Sequence, residues 1–524
     1  MTNVELRERI HVTENEREVF DLLLRAVGSF SPETKLRVAG GWVRDKLLGK
    51  ESNDIDLAIE KMLARKFFYK LNYYLRSQGE DKVQGHVIKS KPTNDNRRPV
   101  ETVKMHIYNH SIDLVHLRSE THEGNSRNPV KVGFATPEKD AYRRDLTINS
   151  LFYNLHTGLV EDYTGRGIVD LKSRRIATPL PARVSLLDDP LRVLRAIRFG
   201  ARFGFTLDEE LKEAASSEEL QVALAVKISK ERIGNEIDLM ISGNDPVQAV
   251  TYLSDLKLFE LVFALPSSSE PAPSENCSSL CLAYLEAMWN LIRTPGLGNF
   301  SGEQRRHALY AALFLPFRKM VYKDTKGKLV PVVNYIFKVS MKRKSKDAET
   351  VVNIHRATGR FLSLILHLQL KKNDVSQVDK REWGTDVFEH LELISRNDPE
   401  LPATSKTRVL AGFLLRDIKD LWRLALLVSL LLCTDDDMNL GFQVDKKREV
   451  YLTIQGTIIR EMGLDTIWDL KPLVGGSDIV KALQLRDNRG PIIREWQHIL
   501  LTWQLAYPKG MPLRQEWVKR RKVA

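Results

Sequence analysis

Apolar residues recur with a helical period over residues 14 to 28, where Val19, Phe20, Leu22, Leu23 and Val27 make one face. A strand over Lys35 to Ala39 follows, and Gly40-Gly41 interrupts it. Trp42 to Leu48 reads as a short helix. Asn53 to Ile59 then alternates, with Asp54 and Asp56 on one face and Ile55, Leu57 and Ile59 on the other. Met62, Leu63, Phe67, Phe68, Leu71, Tyr74 and Leu75 predict a helix over 61 to 77. The stretch Gly79 to Val100 has little periodicity and many turn formers. It is long for a loop in a compact domain, which points to a mobile functional element or an insertion. Thr102 to Tyr108 and Ser111 to Leu117 predict a hairpin turning at Asn109-His110, and Asp113 lies between Ile112 and Leu114 in its second strand. In Asp188 to Phe205, Pro190 suits a first helical turn with Asp188 or Asp189 near the N-cap. Arg192, Arg195, Arg198 and Arg202 share one sector of that helix, opposite Val193, Leu194, Ile197 and Ala201.

Pro266 to Ser279 is the clearest linker or exposed loop. Beyond it the pattern is helical, with apolar faces over 280 to 293, 305 to 316, 351 to 371, 383 to 396, 406 to 433 and 446 to 463. Lys323 to Lys328 and Lys342 to Lys346 read as short basic segments. The longest apolar run, Leu424 to Cys433, is too short to span a bilayer and reads as a buried helix, so no membrane is expected.

At 524 residues the chain is too long for one core, and two to four domains are expected. A formal charge of +12 favours a polyanionic partner. The three cysteines, Cys277, Cys281 and Cys433, fit reduced thiols better than a disulfide framework or a zinc site. The N-terminus is too acidic for a transit peptide and lacks a signal-peptide core.

The chemistry concentrates in residues 38 to 59. Gly40 and Gly41 let the backbone bend tightly and approach a bulky anion, and the helix start behind them suits phosphate. Asp54 and Asp56 on one strand face, beside that turn, suit a pair of Mg2+ ions and a nucleoside triphosphate. A lone Asp-x-Asp is usually a solvated strand end. Its combination with Gly-Gly-x-Val-Arg-Asp and Leu-Leu-Gly is far more specific.

This stretch resembles the signature of the nucleotidyltransferase superfamily, in the branch that holds CCA-adding enzymes and bacterial-type poly(A) polymerases. The whole arrangement is most similar to eukaryotic, fungal-like CCA-adding enzymes of the second class. The resemblance implies an α+β fold: a small mixed-sheet head over 1 to 177, a helical neck over 178 to 262, a helical body over 263 to 420 and a helical tail over 421 to 524. It implies two Mg2+ on Asp54 and Asp56, with Asp113 as a third catalytic carboxylate. Gly40, Gly41 and Arg44 would hold the triphosphate. Arg143 and Arg144, in DAYRRD, would do so too, and Asp145 would accept from a ribose hydroxyl. Asp189 and Arg192 would read the incoming base. The loop from Gly79 to Val100 would help switch from C to A addition. Asp162 to Gly167 resembles a hinge, Ile228 to Met240 a neck brace in which Glu231 and Arg232 are structural, and Lys471 to Leu485 a tail element.

The partners implied are tRNA, CTP and ATP, bound by a monomer in nucleus or cytoplasm and mitochondrion. A CC-only or A-only enzyme, a poly(A) polymerase, and a non-catalytic RNA-binding scaffold are the alternatives.

Overall fold

The computed structural model describes residues 5–89, 101–121, 131–369, 383, 385–397, 402–433, 444–484 and 490–508. The chain forms two compact units, one of residues 1–264 with 340–342, the other of 265–339 with 343–524.

The first unit opens with α1 (Glu14–Phe30), whose N-cap Thr13 and N3 residue Glu16 form a reciprocal capping box. Strands and short helices then build the head. The strands are β1 (Leu36–Ala39), β2 (Asp54–Ile59), β3 (Gln84–Lys89), β4 (Glu101–Ile107), β5 (His110–His116), β6 (Arg118–Thr121), β7 (Lys131–Phe134), β8 (Phe152–Asn154) and β9 (Leu159–Glu161). With them run α2 (Gly41–Leu47), α3 (Ala64–Ser77), α4 (Pro137–Tyr142) and α5 (Gly167–Lys172). Seven strands make one mixed sheet in the order β3-β4-β5-β2-β1-β8-β9. Only β2 and β5 are parallel neighbours in it.

The strand alternation read from sequence holds at β2. Ile55, Leu57 and Ile59 are fully buried, while Asp54 is exposed and Asp56 half-buried. The hairpin closes one residue earlier than its turn formers suggest: Ile107 pairs with His110, and Tyr108 takes φ 50° in the turn. The larger correction concerns Gly79 to Val100. Gly79 ends α3 with φ 76°, but Gln84–Lys89 is a strand paired with β4 rather than an unpatterned loop. Gly85 is there for space, since a Cβ would lie 2.8 Å from the Lys104 carbonyl oxygen and 2.9 Å from Phe68 Cε2. The rest of the segment, 90–100, lies outside the described residues.

The neck follows as α6 (Ala182–Asp188), α7 (Leu191–Phe203), α8 (Glu209–Ala215), α9 (Glu218–Lys227), α10 (Lys230–Ile241), α11 (Pro246–Asp255) and α12 (Phe259–Val262). A two-residue parallel ladder, Arg175–Ile176 with Thr206–Leu207, joins it to the head. Asp188 closes α6 instead of capping α7, and the Asp189 carboxylate accepts the Leu191 N–H at 3.3 Å. Gly204, in the left-handed region at φ 66°, ends α7.

The second unit is helical, as its periodicity indicates, from α13 (Cys277–Arg293) and α14 (Gly302–Leu313) to Gly490–Ala506. The helix expected over 406 to 433 is two helices, Ala403–Ile418 and Trp422–Leu430, separated at Lys419, where φ is 55°. The apolar run is buried: Leu424 through Val428 are at most 1% exposed. The basic stretch Lys323 to Lys328 forms the turn of a hairpin between Val321–Lys323 and Leu329–Pro331. Among the described residues, no helix is long and apolar enough to cross a membrane.

One buried ion pair fixes α1 against α2. Lys46, with no exposed side-chain surface, donates to Glu16 at 2.9 Å, and Glu16 also accepts from Trp42 Nε1 at 2.9 Å. Removing one partner strands the other charge away from water. Lys46→Met is therefore expected to cost about 3 kcal/mol. Lys46→Met with Glu16→Gln should recover most of it, as read from urea midpoints of the three proteins.

Candidate active site

Three strands bring the acidic residues together. The parallel register sets Asp56 directly beside Asp113, and Lys104 is the cross-strand partner of Asp113 on the other side. Lys104 Nζ lies 2.9 Å from Asp113 Oδ2, while Asp113 Oδ1 is buried with no hydrogen-bond partner among the described residues. Burial above all, with Asp54 and Asp113 and against Arg144 and Lys104, pushes the Asp56 carboxyl up to about 6. A carboxylate burdened in this way gains when a cation arrives. The donor set fits a hard divalent ion such as Mg2+, which takes one or two carboxylates and completes its shell with phosphate and water oxygens. Asp54 and Asp56 present two such carboxylates on one strand. Among the described residues, no three acidic, histidine or cysteine side chains converge tightly enough to enclose an ion alone.

Beside Asp56 opens a cavity of about 530 Å3. Its lining includes six arginines, Arg118, Arg143, Arg144, Arg192, Arg195 and Arg232, and four acidic residues, Asp56, Asp145, Asp189 and Glu236. The positive excess suits a polyanion such as a triphosphate. Asp140, 1% exposed, organises the arginines that face it. Its Oδ1 accepts from Arg143 at 2.5 and 2.8 Å, and its Oδ2 from Arg144 at 3.0 and 3.2 Å. Burial opposes the Asp140 charge, but Arg144 and Arg143 outweigh it and hold the carboxyl below its ordinary value. Two neighbouring guanidinium groups are thereby aligned before any ligand arrives.

The neck closes the cavity. Arg192 donates to Ser185 Oγ at 2.6 Å and to the Arg143 carbonyl at 2.5 Å. Asp189 lies within 3.4 Å of Arg232 Nη2. Asp145 accepts from Arg195 Nε at 2.6 Å and also from Leu146 N and Asn149 Nδ2. Burial works against the Asp145 charge, yet Arg195 and these bonds bring its carboxyl down to about 2. The arginine sector of α7 is thus divided. Arg192 and Arg195 line the cavity, whereas Arg198 binds Glu236 of α10 at 2.6 Å and Arg202 approaches Asp45 at 3.8 Å.

The structure therefore brings Asp56, Arg143, Arg144, Asp145, Asp189 and Arg192 to one cavity, with Asp113 the register partner of Asp56 and Asp54 two residues before it on β2. Gly40 sits against this group. It takes φ 73°, and a Cβ would meet Arg144 Nη1 at 3.0 Å, so the backbone and that guanidinium share a space no side chain can enter. Gly41 begins α2 next to it. Arg44 is not part of the cavity lining. Its side chain is 3% exposed, paired with Asp45 and Asn149, with its guanidinium 5.0 and 4.7 Å from the ring centres of Phe199 and Phe203 in α7. That placement makes it a brace between head and neck. The sequence reading missed Asp140, Lys104 and Arg118, and set Arg232 aside as structural although it lines the cavity beside Asp189. An acidic residue three and four positions before Arg143 and Arg144 was the available signal for Asp140.

The family described as Poly A polymerase head domain matches residues 36–177, and that described as the probable RNA- and SrmB-binding site of polymerase A matches 204–269. Head, neck and carboxylate row together define the class: a nucleotidyltransferase on a poly(A) polymerase head, an enzyme class that uses divalent metal ions. The mitochondrial CCA tRNA nucleotidyltransferase of Saccharomyces cerevisiae is 31% identical over 91% of this chain and 86% of its own. The tRNA nucleotidyltransferase cca1 of Schizosaccharomyces pombe is 30% identical over 96% and 95%. By these relatives, the chain belongs to the CCA tRNA nucleotidyltransferase family. In fold it is similar to a CCA-adding enzyme solved in complex with CTP, at a TM-score of 0.56 and 19% identity over 98% of this chain and 96% of that one.

The raised Asp56 carboxyl has a sign that can be tested. Its folded value, about 6, lies above the ordinary 3.8, so this group's stability contribution is full below the ordinary value and is lost as pH rises through the folded one. In metal-free protein, Asp56→Asn should gain up to about 3 kcal/mol near pH 8 and almost nothing near pH 4. Thermal melting of both proteins across that range is the measurement.

Proposed function

We propose that this chain adds C, C and A in turn to the 3′ end of tRNA, from CTP and ATP, without a nucleic-acid template. The observation that carries the reading is one cavity in which Asp56 faces the aligned Arg143–Arg144 pair and the Asp189–Arg192 pair. Metal-activated phosphoryl chemistry, phosphate binding and base recognition then meet in one cavity.

The tRNA 3′-oxygen forms a bond to the α-phosphorus as the bond to the leaving pyrophosphate breaks. Asp54 and Asp56 would hold two Mg2+, which when bound lower the pKa of the attacking hydroxyl and neutralise the leaving pyrophosphate. Asp113, the register partner of Asp56, orients that hydroxyl or takes its proton. Arg143 and Arg144 hold the triphosphate, fixed in advance by Asp140, so little ordering is left for the ligand to drive. The close backbone at Gly40 and Gly41 leaves room for its oxygens. Asp145 reads the ribose hydroxyl, and Arg44 supports the site from behind.

Base choice follows from the neck. Cytosine and adenine each present an amino donor beside a ring-nitrogen acceptor, which one carboxylate and one guanidinium can match. Uracil and guanine present a carbonyl where the amino group would be, opposite the carboxylate, and an unmatched buried acceptor is costly. Asp189 and Arg192 fill these roles, held by Arg232 and by Ser185 with the Arg143 carbonyl. The mitochondrial relative supports a mitochondrial location, alongside nucleus or cytoplasm. The protein acts as a monomer.

The test is a tRNA transcript ending at the discriminator base, incubated with Mg2+ and CTP, ATP or both, and sequenced at its 3′ end. CC with CTP alone and CCA with both are expected. A product stopping at CC with both, a single A only on a transcript already ending in CC, or long A tails would each replace the reading with a narrower or different polymerase. Asp189→Ala with Arg192→Ala should let UTP and GTP in, lowering discrimination against them by about 100-fold. Competition among the four triphosphates reads it.

A further inference from the structure

β3, β4, β5 and β2 align His86, Lys104, Asp113 and Asp56 in one lateral row, each the register partner of the next. Directly paired residues on neighbouring strands share a face of the sheet, so Lys104 stands on the face that carries Asp54 and Asp56. Its side chain is 44% exposed and that of Asp113 18%, so the ammonium reaches from the solvent side to a largely covered carboxylate. It takes Oδ2 at 2.9 Å and leaves Oδ1 unpartnered. Its charge also reaches Asp56, where it opposes Asp54 and Asp113.

We propose that Lys104 is a resident counter-cation of the carboxylate cluster, a positioning residue that disfavours a bare divalent ion, favours the metal–triphosphate complex, and holds Asp113 beside Asp56. The physical reason is charge. Three carboxylates with one ammonium attract a bare dication less than three carboxylates alone. A metal–triphosphate complex carries net negative charge, so the same ammonium attracts it. The ammonium is a compact point charge and keeps its charge on Asp113 as the phosphates enter. Metal and nucleotide would then arrive together, and the site would not fill with an ion that has no substrate. The proposal rests on Asp54 and Asp56 as the metal ligands.

The full-length protein is titrated with Mn2+ without nucleotide, by electron paramagnetic resonance, as wild type, Lys104→Met, Lys104→Gln and Lys104→Arg. Both neutral variants should bind Mn2+ about ten-fold more tightly, and Lys104→Arg should match the wild type. In CTP addition, the neutral variants should show a higher KM for CTP and a lower kcat, with Lys104→Arg retaining most of both. A side chain that merely supports the sheet would not tighten metal binding while slowing turnover. Equal or weaker Mn2+ binding in both neutral variants, with wild-type binding intact, overturns the inference and leaves the metal assignment standing. Failure of the wild type and of both neutral variants alike to bind Mn2+ overturns the assignment and the inference with it.

Discussion

The parallel pairing of β2 with β5 sets Asp56 beside Asp113, with Asp54 two residues away on the same face. Like charges so placed, in a half-buried setting, repel one another strongly. The surrounding structure answers that repulsion with cations on both sides. Arg144 approaches from the head loop and Lys104 from β4. Burial, with Asp54 and Asp113 adding to it, outweighs both cations and keeps the Asp56 carboxyl raised, and a site so charged suits a divalent ion.

The arginines carry a second constraint. Guanidinium groups gathered around one cavity would splay toward solvent unless held. Asp140 holds Arg143 and Arg144, Asp145 holds Arg195, and Glu236 holds Arg198. Each of these carboxylates is 12% exposed or less at its side chain. Buried charges of this kind stabilise little beyond their own desolvation. Their effect is geometric, because they fix where the remaining N–H groups point. The neck is part of the same arrangement. Arg192 docks on the Arg143 carbonyl, and Arg44 is covered by Phe199 and Phe203. A change in α7 therefore reaches the Arg143 side of the cavity as well as the Asp189 side.

Elements with strong periodicity were legible from sequence. β2, α1, α7 and the helices of the second unit fall where their apolar residues recur, because local pattern and tertiary burial agree there. The strand at Gln84–Lys89 was hidden by a glycine that reads as a turn former and in fact makes room for Phe68. The break at Lys419 was hidden by a continuous apolar pattern, since a left-handed residue leaves no apolar gap. Neither the capping box of Thr13 and Glu16 nor the use of Glu16 to hold Trp42 and Lys46 was read from the sequence.

Sequence by itself determined the alternation that puts Asp54 and Asp56 on one face, the Arg-Arg-Asp run, the arginine sector of α7, and the helical character of the chain beyond residue 277. These depend on spacing along one element, and spacing is written in the chain. Tertiary structure decided which of those groups meet. It turned Arg44 away from the cavity and into an aromatic brace, turned Arg232 toward Asp189, and made Asp140 the holder of two arginines. It also placed Lys104 on Asp113 through a strand register. A side chain's partner is set by which elements pack together, and that packing is the sum of many weak burials spread along the chain, so no local spacing could have specified it.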